Sequence, residues 1–188
     1  DEDSGVFIDI SGDATYGVFT YRENETGITI TSCQTSATAA DIPSEIDGKP
    51  VTEIGDAAFM NCEFLTNLVI PAPVQKVGES AFSSCPMLCT VTLPEGLTEL
   101  GEGAFESCSM LSQVALPSTL TELPEAAFYN CSYLPSFDVP ATIQTIGNEA
   151  FYSCTALKEV TLPEGIETIG DYAFQNCQVL EQVTLPAS

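Results

Sequence analysis

The sequence has no histidine and very few basic residues. Four Lys and Arg residues stand against 27 Asp and Glu residues, which gives a formal net charge of −23. Near neutral pH, histidine is the side chain most often used as a general acid or base and as a metal ligand. We therefore predict that the chain is not an enzyme and has no catalytic residues, cofactor or metal site. Nucleic acids and anionic membrane surfaces bind clustered Lys or Arg, so we expect neither as a partner.

Long apolar runs are also missing. No run approaches the roughly 18 residues that a membrane span needs, so we predict no membrane insertion. The chain opens with Asp1-Glu2-Asp3-Ser4 and contains no signal-like segment, which suggests a mature or trimmed fragment of an exported protein. A large charge of one sign keeps an exported protein in solution as a monomer, and we predict a monomer. The alternative interpretation of the acidic charge is selection by a basic partner.

A period of 23 residues dominates the sequence after residue 50. Two positions recur without any insertion: a phenylalanine that follows alanine, and a cysteine three residues later. The phenylalanines are Phe59, Phe82, Phe105, Phe128, Phe151 and Phe174. The cysteines are Cys62, Cys85, Cys108, Cys131, Cys154 and Cys177. This register predicts a solenoid in which each repeat forms one coil and the phenylalanines form a continuous internal column.

One period shows what each coil contains. Residues 88–93 end in an alternation of apolar and β-branched side chains, which predicts a short strand. Gly101 permits a turn, and residues 102–105 are typical of a short helical segment with an acid near its N-terminus. We interpret this acid as a helix start, the alternative being a metal-binding ladder. It recurs as Asp56, Glu79, Glu102, Glu125 and Asp171, with Asn148 in the remaining repeat.

Stacking these coils predicts an α/β solenoid, with a parallel β-sheet on the concave face and short helices or 3-10 turns on the convex face. We assign residues 51–188 to six 23-residue repeats. Residues 1–50 would form an N-terminal β-hairpin cap from strands at 16–21 and 27–32, followed by a leading strand and a loop at 46–50. Cap and repeats would be one continuous domain. No C-terminal cap is visible after Leu185-Pro186, so we expect further repeats, another domain or an exposed last coil.

The six periodic cysteines predict a column of buried thiols, because a residue that recurs once per coil stacks on its own equivalents. Disulfides within the column and metal ligation are the alternatives, although the short local spacings of zinc sites are absent. Cys33 and Cys89 lie outside the column. Two free thiols or a Cys33–Cys89 bridge would both fit their positions.

The repeats resemble the BspA-like, or treponemal-type, leucine-rich repeats. That family's pattern is roughly Leu-x-x-Leu-x-Leu-Pro, then Ile-Gly-x-x-Ala-Phe, then a cysteine three residues on. The stretch that matches it most closely is Ile169-Gly170-Asp171-Tyr172-Ala173-Phe174-Gln175-Asn176-Cys177. The resemblance covers about residues 16–188. It implies a right-handed solenoid on a surface or secreted protein of a host-associated bacterium, with a role in adhesion and no catalytic residues. Pro124 replaces the turn glycine and Phe137 and Val139 alter the strand of one repeat, so we expect a local change of curvature there.

The outward positions of the predicted strands are the first candidate site, because the concave face of a solenoid is a common recognition surface. They are mostly small, polar and uncharged: Asn67, Val69, Thr90, Thr92, Gln113, Ala115, Ser136, Asp138, Glu159, Thr161, Gln182 and Thr184. A solvated sheet with high β-propensity would show the same pattern. Tyr129 and Tyr152 share one repeat position in adjacent coils and are the second candidate, since tyrosine suits protein interfaces. Partial cover of the core would explain them equally well.

Together these features predict a binding or adhesion module, extracellular or at the cell surface. Its partner would be a protein or glycan of a host or of a neighbouring cell. The alternative is a structural spacer that presents another domain of a longer exported protein.

Overall fold

The computed structural model describes residues 13–38 and 40–184. The acidic opening segment and the predicted strand end at Leu185-Pro186 lie outside these residues. The described chain begins with three antiparallel strands, β1 (Ala14–Tyr16), β2 (Phe19–Glu23) and β3 (Ile28–Cys33). The strands expected at 16–21 and 27–32 correspond to β2 and β3, and β1 adds a third strand at the outer edge.

Residues 46–50 form a tight hairpin where the sequence predicted a loop. β4 (Glu45–Ile46) pairs antiparallel with β5 (Lys49–Ile54). Asp47 and Gly48 between them have φ angles of 51° and 77°, and two residues with positive φ are typical of a type I′ hairpin turn. β5 also pairs in parallel with β3, and this pairing joins the N-terminal strands to the first coil.

The repeats form a parallel-strand solenoid, as predicted. Its strands are β6 (Asn67–Val69), β7 (Lys76–Val77), β8 (Thr90–Thr92), β9 (Glu99–Leu100), β10 (Gln113–Ala115), β11 (Glu122–Leu123), β12 (Ser136–Asp138), β13 (Thr145–Ile146), β14 (Glu159–Thr161), β15 (Thr168–Ile169) and β16 (Gln182–Thr184). Each coil holds a two-residue strand, a turn segment with the repeated phenylalanine, and a three-residue strand, and we name the coil by that phenylalanine. Equivalent strands pair in register at the 23-residue spacing, as Asn67 does with Thr90 and Thr90 with Gln113.

Each coil therefore contributes to two ladders, whereas the sequence pattern predicted one sheet. The three-residue strands form the predicted ladder. The two-residue strands, with residues 53–54 of β5 in the Phe59 coil, form a second one. Strands of two residues are too short to show an alternating pattern, so no sequence signal pointed to this second ladder.

The predicted short helices are absent from the described residues, where turns take their place. In the Phe59 coil, alternate backbone N–H groups donate to the next coil: Ala57 to the Glu79 carbonyl at 2.8 Å and Phe59 to the Ala81 carbonyl at 2.7 Å. The N–H groups between them donate three residues back, as Met60 does to Ala57 at 3.0 Å. A helix would need every N–H for bonds within its own segment.

Two positions per coil also have left-handed backbone conformations, which interrupt any helix. One precedes the alanine and the other precedes the cysteine of the repeat. The non-glycine residues at these positions are Ala57, Asn61, Ser80, Ser84, Ser107, Ala126, Asn130, Glu149, Ser153, Tyr172 and Asn176, with φ between 51° and 62°, and Gly103 completes the set. The prediction was short helices or 3-10 turns: the helices are therefore not confirmed, and the described segments are turns in which some N–H groups donate to the carbonyl three residues back.

The repeated phenylalanines form a continuous column at the centre of the core. Phe59, Phe82, Phe105, Phe128 and Phe151 are fully buried, as predicted. From Phe82 to Phe174, successive rings stack with their centroids 5.4–5.6 Å apart. Phe174, in the last described coil, is half-buried.

Both ladders are interrupted at one place, between the Phe105 and Phe128 coils. In the two-residue ladder, glycines donate their N–H to the preceding coil, as Gly101 does to the Val77 carbonyl and Gly147 to the Leu123 carbonyl, both at 2.8 Å. Pro124 occupies this position in the Phe128 coil and has no N–H. There is also no room for a side chain, since a Cβ on Gly101 would lie 2.3 Å from the Gly78 carbonyl carbon.

A second proline interrupts the three-residue ladder in the same coil. Cys89 donates its N–H to the Thr66 carbonyl at 2.7 Å and Lys158 to the Pro135 carbonyl at 3.0 Å, whereas Pro135 has no N–H to donate. The turn segments remain bonded across the same junction, as Phe105 N to Ala127 O at 3.0 Å. The sequence predicted a local change at Pro124, and the structure places a break in both strand faces there while the core column continues.

Candidate functional site

The outward side chains of the three-residue strands form the first predicted site, which we call the strand face. Eleven of its twelve predicted residues are exposed and Thr90 is half-buried. The central residue is buried in four of the six strands, as Leu68, Val91 and Val160 are; it is half-buried in a fifth strand and exposed in the last one. The structure thus brings the predicted residues onto one face, in two blocks of three strands separated by the Pro135 interruption.

Hydrogen bonds across the strand face are few, and most of its polar groups face solvent. Thr90 donates its hydroxyl to the Asn67 side-chain carbonyl at 2.6 Å, and Gln182 donates its amide to the Thr184 hydroxyl at 3.2 Å. Among the twelve residues only Asp138 and Glu159 carry a charge. This face can therefore offer hydrogen bonds to a partner without strong attraction or repulsion.

The second predicted site, Tyr129 and Tyr152, lies on the turn segments rather than on the strand face. The two rings stack with centroids 4.9 Å apart and planes at 2°. The pKa of Tyr129 is raised, mainly because its phenol is partly desolvated and, to a smaller extent, because Tyr152, Glu149 and Glu106 lie near it. The phenol therefore stays neutral at physiological pH. Each tyrosine is half-buried, and the pair forms one flat aromatic plate bordered by carboxylates.

A third feature, which sequence reasoning missed, is a line of exposed apolar side chains along the solenoid. It lies two residues after the repeated cysteine, and we call it the apolar stripe. Its members are Phe64, Met87, Met110, Tyr133, Ala156 and Val179. The five large side chains are 39–62% exposed. Their chemical types differ, so they show no motif, but a comparison of repeat positions for apolar character would have found them.

The acidic residues are concentrated beside the two-residue ladder, which we call the acidic face. Its exposed or half-buried carboxylates are Glu53, Asp56, Glu79, Glu99, Glu102, Glu122 and Glu125. Lys76 makes an ion pair with Glu99 at 3.2 Å. By contrast, residues 83–93, 107–121, 126–137 and 150–157 contain no charged side chain, and these segments include five of the twelve strand-face residues and four of the six members of the apolar stripe.

The periodic acid position is not a helix start, since no helix follows it in the described coils. Where the residue is short, its side chain instead accepts a backbone N–H of the next coil. Asp56 accepts from Glu79 N and Asn148 accepts from Asp171 N, both at 2.9 Å. Within residues 13–38 and 40–184, no group of three or more His, Cys, Asp or Glu side chains is placed to hold a metal ion.

Five of the six cysteines in the column are buried, as predicted, and Cys177 in the last described coil is half-buried. The thiols of the column bond between coils. Five of them donate to the carbonyl of a repeated phenylalanine at 3.1–3.2 Å, as Cys85 does to Phe59. Burial raises the pKa of the Cys131 and Cys154 thiols, so they are poor nucleophiles. Cys33 is buried beside Cys62, and Cys89 is half-buried with its thiol directed at the Met87 carbonyl. All eight cysteines lie within the described residues and have free thiols, so there is no Cys33–Cys89 bridge.

Coils of this length, with stacked parallel strands and an inward aliphatic and phenylalanine pattern, define a leucine-rich-repeat solenoid. The chain belongs to the BspA type leucine-rich repeat family, whose repeat region matches residues 52–181 in six copies. Solenoids of this class are typically non-enzymatic, and their extended surfaces generally bind other proteins.

Several solved bacterial structures are similar to this chain. The leucine-rich repeat protein of T. pallidum is 33% identical with a TM-score of 0.86, over 90% of this chain and 81% of that chain. A leucine-rich cell surface protein of Faecalibacterium prausnitzii A2-165 is 25% identical with a TM-score of 0.76, over 92% and 54% of the two chains. A leucine-rich repeat protein of Eubacterium ventriosum ATCC 27560 is 25% identical with a TM-score of 0.74, over 89% and 46%. The chain therefore spans about half the length of the last two.

Comparison with curated proteins gives no significant match. In the part of the chain that the structure describes, no helix is long and apolar enough to cross a membrane.

Proposed function

We propose that this chain is a non-enzymatic binding module of a secreted or cell-surface bacterial protein, and that it contacts a macromolecule of a host or of a neighbouring cell. The observation that carries the proposal is the strand face. In a chain with a net charge of −23, ten of the twelve outward residues there are uncharged. Such a surface suits a polypeptide or a glycan, because its exposed hydroxyl and amide groups can donate and accept hydrogen bonds without a large desolvation cost.

The similarity to the F. prausnitzii cell surface protein supports the proposed location. The alternative is a rigid acidic spacer that presents another domain, for which the solenoid surface would be inert. The two functions differ in one measurable property, since only a binding module loses a saturable interaction when its surface is changed.

The test is a binding screen of the monodisperse protein at physiological salt against immobilised matrix proteins, plasma proteins and mucin glycans. For any partner found, the triple variant Thr92→Lys, Gln113→Lys and Thr161→Lys should weaken binding at least about tenfold, a typical effect of disrupting an interface centre. The control adds the same charge through three Thr→Lys changes at the exposed Thr98, Thr121 and Thr168, which lie in or beside the two-residue ladder.

The control should leave the affinity within about twofold. Equal losses in both triple variants would mean that added charge alone disturbs binding. Loss on changing Tyr129 and Tyr152 to Ser, with the strand-face variant unaffected, would move the site to the aromatic plate. Absence of binding to every member of the panel would favour the spacer.

A further inference from the structure

The apolar stripe is continuous along the solenoid. A neighbouring column of polar residues bonds successive coils: the Ser109 hydroxyl donates to the Pro86 carbonyl at 3.4 Å and the Ser132 hydroxyl to the Ser109 carbonyl at 3.3 Å. Each of these residues directly precedes a member of the stripe, so Met87, Met110 and Tyr133 lie one above the other. Adjacent parallel strands are spaced by about 4.8 Å, and six coils give a line about 24 Å long.

Five large apolar side chains in this single line are 39–62% exposed. Single exposed apolar residues are ordinary, but contiguous lines of them mark interaction surfaces. All three methionines of the chain are more than a third exposed, and Met87 and Met110 occupy adjacent positions in the stripe. Methionine is flexible and polarisable, and proteins use it at surfaces that adapt to helical partners.

We propose that the apolar stripe binds an amphipathic α-helix of a partner protein, laid along the solenoid axis. This inference rests on the proposed binding function and names the partner's shape. An α-helix places one apolar side chain per turn along its contact line, about every 5.4 Å. The helical turn and the coil spacing of about 4.8 Å differ so little that the accumulated offset over four coils is less than about 2 Å. Each coil can therefore contact one apolar side chain of the helix.

An extended peptide fits the stripe poorly. Side chains on one side of a strand repeat about every 6.7 Å, so they fall out of step with the coils by about one full coil over the same distance. The strands of the solenoid also run across its axis, and a peptide laid along that axis finds no ladder to join. Its backbone groups would stay unpaired, whereas a helix satisfies its own.

The charge distribution of the chain favours a helix whose polar face is basic. The stripe itself is uncharged, and beyond it the chain carries 27 acids against four bases. The exposed Glu63 directly precedes Phe64 of the stripe, and the exposed Glu181 follows Val179 by two residues. A helix with Lys or Arg on its polar face would therefore be attracted to the molecule while its apolar face covers Met87, Met110 and Tyr133.

The probe for this inference is a labelled 18-residue peptide of Leu, Lys and Ala whose leucines repeat at i, i+4, i+7 and i+11. Binding is followed by fluorescence anisotropy at physiological salt. Two control peptides have the same length and charge: one with the leucines scattered around the helix, and one with two central prolines that prevent a helix. Saturable binding should occur with the first peptide alone. The double variant Met87→Gln and Met110→Gln should weaken it at least about tenfold.

The matched control variant is Val69→Gln, which changes an exposed apolar residue on the strand face and should leave peptide affinity within about twofold. Both variants should melt at the temperature of the wild type, since the three side chains are exposed. Equal binding of the scattered or proline peptide, or no effect of the double variant, would overturn the inference. Absence of binding to the helical peptide would also overturn the inference. The proposed function would still stand in that case if the binding screen finds a partner whose affinity falls in the strand-face variant.

Two other occupants would also contradict a helical partner. Self-association of the wild type that the double variant abolishes would identify a second copy of this chain. Sedimentation with phosphatidylcholine vesicles that the same variant abolishes would identify a lipid surface.

Discussion

At the scale of single residues, the phenylalanine column carries much of the stability. Phe105 is fully buried and stacks on Phe82 and Phe128 at 5.5 and 5.6 Å. Replacing it with Ala should lower the free energy of unfolding by about 3–5 kcal/mol, because the coils cannot collapse onto the cavity. Replacing the exposed Thr92 with Ala should change it by less than about 0.5 kcal/mol. Urea denaturation measures both values, and equal losses would contradict the column.

The cysteines give a second prediction at this scale. Protein denatured without a reducing agent should titrate with eight free thiols, because no disulfide joins any of the eight cysteines. In the folded protein at pH 8, the fastest reaction with a thiol reagent should come from Cys89 and disappear in Cys89→Ala. Burial raises the pKa of Cys131 and Cys154, so these thiols remain protonated and should react only as fast as the chain unfolds. Two or fewer free thiols in the denatured protein would overturn this account.

At the scale of elements, the break at the Phe128 coil follows from two prolines and can be repaired. Pro124→Gly restores both the missing N–H and the space that the glycine column requires. We expect the N–H introduced at position 124 to donate to the Leu100 carbonyl and to be protected from hydrogen exchange to a degree similar to that of Gly147. The melting temperature should change little, since one hydrogen bond adds about 1 kcal/mol and the freer unfolded chain removes a similar amount.

Hydrogen exchange followed by NMR measures this directly, with Gly147 as the reference in the same protein. An exchange rate at position 124 like that of an open loop would show that the proline does not cause the break.

The elements also show what the sequence can and cannot predict. The 23-residue period determines the stacking register of Phe105 and Cys108, and their burial is confirmed because a residue that repeats once per coil must face the same environment each time. The helix predicted at residues 102–105 does not form, because the prediction considered the sequence of one coil alone. In the solenoid, N–H groups such as that of Phe105 bond to the next coil, and this competition does not appear in the sequence of a single repeat.

The candidate site was harder to predict for a related reason. The strand face was found because its alternation with buried residues such as Val91 and Val160 is visible in each strand. The apolar stripe was missed because Phe64, Met87 and Tyr133 lie in turns, where an isolated apolar residue carries no pattern. Their significance depends on stacking, which brings residues 23 positions apart into one line.

At the scale of the whole molecule, the acidic face is separate from the surfaces proposed for recognition. The acidic face gathers carboxylates beside the two-residue ladder, while ten of the twelve strand-face residues and all six members of the apolar stripe are uncharged. A large charge of one sign favours solubility, and the uncharged surfaces are the ones that we propose for specific contact. Binding through the strand face should therefore depend only weakly on salt, since few ion pairs would form there. Attraction of a basic helix to the apolar stripe should instead weaken as salt rises.

The most direct test of this account is a footprint of a bound partner on the whole solenoid. A partner from the binding screen is added, and side-chain labelling is compared with and without it. Hydroxyl radicals report on Val69 of the strand face and on Met87 and Met110 of the apolar stripe, and a carbodiimide reports on the carboxylates of Glu99 and Glu102. We predict protection within the first group and no change in the second. Protection of the carboxylates, with Val69, Met87 and Met110 as reactive as in the free protein, would contradict recognition through the strand face or the apolar stripe.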